Sequence, residues 1–191
     1  AVRESGGPEP LPELGGRAEL MQLRRFDAAA VRQWMREAAH AFQNRRGQEE
    51  LLACTGGWPM LISIVLGGDM VADQQQALER CRRHLRDRPA DLVEAAGVRC
   101  CPPVAAAWRE LVDLAGSGSP ADLADLLAPS DLEEDHPLSP RSLHQHGYRT
   151  VDDVIEVLRI LGALVPAPHA PHELQCEPVL AEATRNSGEV R

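Results

Sequence analysis

The stretch Leu51 to Val65, LLACTGGWPMLISIV, sets two apolar runs back to back across four residues that interrupt a helix. A helix over Gln48 to Cys54 is expected to stop at Thr55-Gly56-Gly57, because a residue without Cβ lets the backbone leave at positive φ. Trp58-Pro59 then restarts it, since the amide that proline lacks is one a first helical turn leaves unbonded anyway. The following MLISIVL carries almost no polar face and predicts burial nearly all round. Helix, sharp glycine corner, helix is therefore the local fold.

Working outward, the same chemistry repeats. Asp27 is an N-cap for AAAVRQWMREAAHAFQ, with Val31, Trp34, Met35, Ala38 and Phe42 on one stripe. Before it, residues 18–26 (AELMQLRRF) read as a short strand or extended approach, and residues 1–16, rich in Gly and Pro, as a flexible lead or linker. After the corner, residues 72–88 form a helix with an Arg-rich face, and Pro89 opens a shorter one over ADLVEAAGV. Pro102-Pro103 coincides with a change in charge balance and marks a domain boundary, giving units 1–16, 17–101 and 102–191.

The last unit predicts helix, helix, helix, hairpin, helix. Val104, Trp108, Leu111, Val112 and Ala115 stripe the first, which Gly116 to Gly118 end. Ser119-Pro120 with Asp122 caps ADLADLL, and a polar acidic insertion spans residues 129–148. Thr150 to Asp153 is a capping box for VDDVIEVLRILGA. Residues 163–166 and 173–176 can pair across a Pro- and His-rich turn, and Pro178 begins a last helix. The fold class is mainly α, a helical bundle followed by a winged-helix-like unit with a short β-hairpin.

Composition narrows the chemistry. The 191 residues include six aromatics, so the core is Leu, Val, Ile and Ala. All 20 basic residues are Arg. Without Lys there is no G-x-x-x-x-G-K-[ST] phosphate loop, no Schiff base and no Ser-Lys dyad in this chain. Residues 1–102 hold 14 Arg against 14 acids and residues 103–191 hold 6 against 15, so the net charge of −9 lies wholly in the second part. Five Cys at irregular spacing, with no signal-peptide pattern before them, argue against a disulfide framework and for a reducing cytoplasm. The longest apolar stretch, around Met60 to Leu66, is far short of the roughly 20 residues that cross a bilayer.

With these residues in place, LRRFDAAAVRQWM (23–35) followed by LLACTGGWPMLISIV (51–65) resembles the helical lid of signal-transduction ATPases with numerous domains, the STAND branch of the AAA+ class. The likeness covers residues 17–66 closely and 103–186 by element order. It implies a lid whose Gly-x-Pro turn lies against a bound nucleotide, with its proline near the adenine, and a winged helix that closes over the site. The matching positions are Gly56, Gly57, Trp58 and Pro59, with Thr55 before them. ATP or ADP would be bound only together with an upstream P-loop domain, which would also be the partner and the route to oligomers. The chain itself would sense nucleotide and mediate interdomain or protein contacts without catalysing. Without the family, the same corner is a helix stop and restart with Trp58 in the core.

The alternative from another class is a standalone winged-helix interaction or transcription-associated module. Charge opposes nucleic acid: Asp152, Asp153 and Glu156 face a single Arg159 on the helix that would enter a groove. Arg80, Arg82, Arg83, Arg86 and Arg88 with His84 form one basic patch, read as a solvated helix face or a contact for phosphate or an acidic surface. His169, His172 and Cys176, or Cys81 and His84 with Cys100 and Cys101, lack the paired knuckles of a zinc site, so no metal is expected. Cys54 with a histidine lacks an orienting third group, so no catalytic residue is assigned.

Overall fold

The computed structural model describes residues 25–37, 42–67, 73–114 and 134–188, without the side chains of 34–37 and 171–172. Among these residues lie nine helices and one antiparallel hairpin. The expected strand or approach over 18–26 falls mostly outside them, as do the lead 1–16 and the capped helix expected around 121–127.

Helix α1 (Ala28–Glu37) begins where Asp27 Oδ1 accepts from the amides of Ala29 and Ala30 at 2.9 and 2.7 Å. Helix α2 (Arg45–Thr55) starts three residues earlier than expected, because the Asn44 side chain caps it through the Gly47 amide at 2.7 Å. It ends in the left-handed Gly56, and α3 (Pro59–Leu66) opens on its proline. Burial of α3 runs nearly all round, as expected: Leu61, Ile62 and Val65 are buried, Met60, Ile64 and Leu66 are half-buried against the core, and Ser63 is exposed, its hydroxyl donating to the Pro59 carbonyl.

Helix α4 (Gln74–Asp87) is capped by Asp73, and α5 (Pro89–Ala95) follows after a single residue. Helix α6 (Pro102–Leu114) takes Pro102 and Pro103 into its first turn and buries Val104, Trp108, Leu111 and Val112, as the stripe predicts. Within the stretch expected to be a polar insertion, a short helix α7 (Pro140–Gln145) forms instead. Ser139 caps it, and Leu138, Leu143 and Tyr148 are buried, so this segment contributes to the core.

Helix α8 (Val151–Ile160) opens on the expected capping box of Thr150 and Asp153, whose carboxylate accepts from the amides of Arg149 and Thr150 at 2.7 and 3.1 Å. Strands β1 (Leu164–Ala167) and β2 (Ala170–Cys176) pair with Leu164 opposite Cys176 and a shift at Pro166/Ala167, around a turn tighter than expected. Helix α9 (Pro178–Asn186) closes the described chain.

The molecule is thus mainly helical with one small sheet. Helix α9 packs on α4, α5 and α6, so the buried core runs across the position where the charge balance changes. Leu51, Leu61, Ile62, Leu78, Leu92, Leu158 and Leu180 are among its fully buried side chains, each stabilising the fold by roughly 1.5–3 kcal/mol relative to exposure. None of the described helices is long and apolar enough to cross a membrane.

Candidate functional site

The glycine corner is built by local bonds first. Thr55 Oγ1 donates to the Leu51 carbonyl at 2.8 Å and accepts from the Gly57 amide at 3.3 Å, while the Trp58 amide reaches Thr55 O at 3.0 Å. Gly56 and Gly57 both sit at positive φ, 59° and 76°, a region costly to residues with a Cβ. The extended segment before α1 lies against the turn: the Phe26 amide donates to Gly57 O at 2.8 Å, and a Cβ on Gly57 would collide with the Phe26 carbonyl. Gly57 must therefore be glycine for two reasons, conformation and space.

Distant residues complete the corner. Glu177, at the foot of α9, is 2% exposed and is the one carboxylate buried among the described residues. Its Oε2 accepts from Trp58 Nε1 at 2.9 Å and from the Leu180 amide at 2.8 Å, which makes it the N-cap of α9 as well. Its Oε1 pairs with Arg25 Nη1 at 3.2 Å, and the same guanidinium donates to the Gly56 carbonyl at 3.0 Å and lies 5.8 Å from the Trp58 ring centroid. Burial pulls the Arg25 guanidinium below its ordinary value, and the Glu177 charge opposes that. A buried carboxylate survives here because each oxygen has a charged or N–H partner.

This wiring divides the four residues singled out from sequence. Gly57 and Trp58 are buried, with the indole N–H already bonded to Glu177; Gly56 is half-buried; Pro59 is exposed, with Met60 half-buried beside it. The N-terminus of α3, where Pro59 stands, has no side-chain cap, so its first amides have no side-chain acceptor there. A purine could stack on Pro59 and meet that helix end. The phosphates of a nucleotide would need cations from elsewhere, since Arg25 is committed to Glu177 and Gly56.

The other constellations fall apart or turn inward. In the basic patch, Arg80 Nη2 donates to the Val65 carbonyl at 3.0 Å, Arg82 and Arg86 pair with Glu79 at 3.7 and 2.9 Å, and His84 meets Asp91 at 3.4 Å. Arg83 and Arg88 are exposed. Asp152, Asp153 and Glu156 are exposed along α8, the last paired with Arg159 at 3.3 Å. Cys176 is buried, which pushes its thiol up to about 11, while His169 is exposed. No group of three or more His, Cys, Asp or Glu converges among the described residues.

Sequence reasoning missed Glu177 and Arg25. Glu177-Pro178 does mark a helix start, but Glu is a poor N-cap by preference and nothing local pairs it with a residue 119 positions earlier. No family model matches the chain, and neither curated proteins nor solved structures give a significant match.

Proposed function

We propose that this chain is the regulatory lid and winged-helix portion of a STAND-type P-loop ATPase, sensing nucleotide at the exposed proline of its glycine corner and passing the state on through domain contacts. The observation that carries this reading is the corner itself: two left-handed glycines joining α2 to α3, Pro59 exposed at the first position of α3, and an uncapped helix end beside it. The order α6, α7, α8, hairpin supports the winged-helix part of the reading. In this mechanism the base of ATP or ADP rests on Pro59, and the P-loop lysine and metal carboxylates belong to a preceding domain. Nucleotide exchange shifts a population of domain orientations, and no bond is made or broken by these residues.

The test uses the full protein encoded by the reading frame. A Gly-rich Lys-Ser/Thr loop is expected upstream, an azido-adenine nucleotide should crosslink within residues 56–60, and Pro59→Ala should weaken ADP binding about tenfold, which corresponds to about 1.4 kcal/mol. Absence of a P-loop module from the frame, or unchanged ADP affinity in the Pro59→Ala protein, overturns the proposal.

The alternative of a standalone winged-helix interaction module draws support from the exposed acids of α8, which suit a cationic protein surface and oppose duplex DNA. Binding of duplex DNA with a steep salt dependence would overturn this charge argument and favour the transcription-associated form of the alternative over the ATPase reading.

A further inference from the structure

Cys54 lies in the last turn of α2, next to Thr55 of the corner, and Cys81 faces it from α4, a helix in contact with α2. The two thiols interlock. Cys81 Sγ lies 3.9 Å from the carbonyl oxygen of Cys54, and Cys54 Sγ lies 3.8 Å from the Leu78 carbonyl one turn before Cys81, so each thiol donates into the other's helix. Their accessibility differs. Cys81 is 0% exposed, whereas Cys54 is half-buried and lines a cleft of about 490 Å³ between α2, α4 and α9, with Arg82, Arg86, Leu85, Glu50 and Glu182 around it. One sulfur is thus open to a small molecule while a second waits directly behind it.

We propose that Cys54 and Cys81 form a redox-active dithiol, in which Cys54 attacks a low-molecular-weight disulfide entering through this cleft and Cys81 resolves the product. In the first step the Cys54 thiolate attacks one sulfur of RSSR; the S–S bond breaks, RS⁻ leaves, and a mixed disulfide forms at Cys54. In the second the Cys81 sulfur attacks Cys54 Sγ, expels the other RS⁻, and the Cys81 proton passes to a departing thiolate. RSSR is reduced to two RSH and the protein dithiol is oxidised to one Cys54–Cys81 bond.

The electrostatics agree with these roles. The neighbouring Cys81 thiol, and next the Arg82 charge, bring the Cys54 thiol down to about 7 against the opposing effects of burial and Glu79, while the neighbouring Cys54 together with burial holds Cys81 well above the ordinary thiol range. Two of the other cysteines are held as thiols: burial raises Cys176, and burial and the neighbouring Cys101 raise Cys100. Once closed, the bond would tie the residue preceding Thr55-Gly56-Gly57 to α4, so the oxidation state reaches the corner through one peptide unit.

Oxidised glutathione is the probe, added to the full chain near neutral pH, with peptide mapping under non-reducing conditions. The wild type should lose two hydrogens and yield a crosslinked peptide pair containing Cys54 and Cys81, reversed by dithiothreitol. Cys81→Ser should stall with one glutathione on Cys54, and Cys54→Ser should leave Cys81 unmodified. On the wild type alone, the rate at Cys54 should rise through pH 7 and exceed that at the exposed Cys100. Modification of Cys100 before Cys54, or a Cys54–Cys81 pair that stays reduced while glutathione remains on Cys54 in the wild type, overturns the proposal.

Discussion

Two tryptophans, one on each side of the change in charge balance, reach the same C-terminal helix. Trp58 leaves the glycine corner and donates to the Glu177 carboxylate at the foot of α9; Trp108, on α6, donates to the Thr184 hydroxyl two turns along, and both bonds are 2.9 Å long. Both indoles are buried. The acceptors differ in kind. Thr184 also donates to the Leu180 carbonyl of its own helix at 2.8 Å, so its hydrogen bonding is partly satisfied without the tryptophan. Glu177 is charged, and its partners come from three separate places: Arg25, Trp58 and the Leu180 amide. The neutral contact fastens two helices already packed together, whereas the charged one depends on every contributor and fails if any is withdrawn.

The largest expected effect follows from that dependence. Glu177→Ala strands the Arg25 charge, opens the α9 cap and frees the indole N–H, and should cost roughly 3–5 kcal/mol in denaturant unfolding. A loss no greater than that of Thr184→Ala would erase the distinction between the two contacts. Next comes the glycine facing the same knot. Gly57→Ala meets both a left-handed backbone, about 1–2 kcal/mol, and the Phe26 carbonyl, which adds the cost of overpacking, about 1–3 kcal/mol. Gly147→Ala, at φ 81° with nothing within 4 Å of the added carbon, should cost the backbone share alone, so equal losses at the two sites would show that crowding by Phe26 is unimportant.

The tryptophans can be compared directly. Trp58→Phe gives up a bond to a charged acceptor, about 1.5–3 kcal/mol, and Trp108→Phe a bond to a neutral one, about 0.5–1.5 kcal/mol, so thermal unfolding should rank them in that order. The smallest effect contrasts an exposed cap with the buried one. The amides of Arg149 and Thr150 hold the Asp153 carboxyl below its ordinary range. The stabilisation is present above the ordinary carboxylate value and is lost as pH falls through the lowered one. Asp153→Asn should flatten the acid limb of melting temperature against pH by a small amount, and an unchanged limb would contradict the cap.

Much of the fold is legible in the sequence because its signals are local. Asp27 bonds amides two and three residues ahead, Gly56 and Gly57 adopt the conformation that ends α2, and Asp153 reaches back one turn, so each can be read from a window shorter than two helical turns. The hairpin is legible for the same reason, with its paired residues close in sequence. The miss at α7 is instructive. Ser139-Pro140 is a cap with proline in the first turn, flanked by Leu138 and Leu143, but six helical residues amid acids and histidines give too short an apolar period to stand out.

The corner shows a different limit. Its turn chemistry was readable, yet which of its four residues faces outward was not, because that depends on Arg25 and Phe26 before α1 and on Glu177 far beyond α6. The run after Pro59, by contrast, reads correctly as buried nearly all round, since of residues 60–66 Ser63 alone is exposed.

By itself the chain of residues determined a helical protein with a glycine corner, capped helices and one hairpin, along with the absence of any lysine-dependent chemistry, because capping, turn conformation and side-chain inventory act over a few bonds. Tertiary structure alone decided that Trp58 serves Glu177 and leaves Pro59 outward, that Cys54 meets Cys81 beside a cleft, and that α9 joins both halves of the core. Those outcomes depend on contacts between segments up to 119 residues apart, whose partners only chain packing selects.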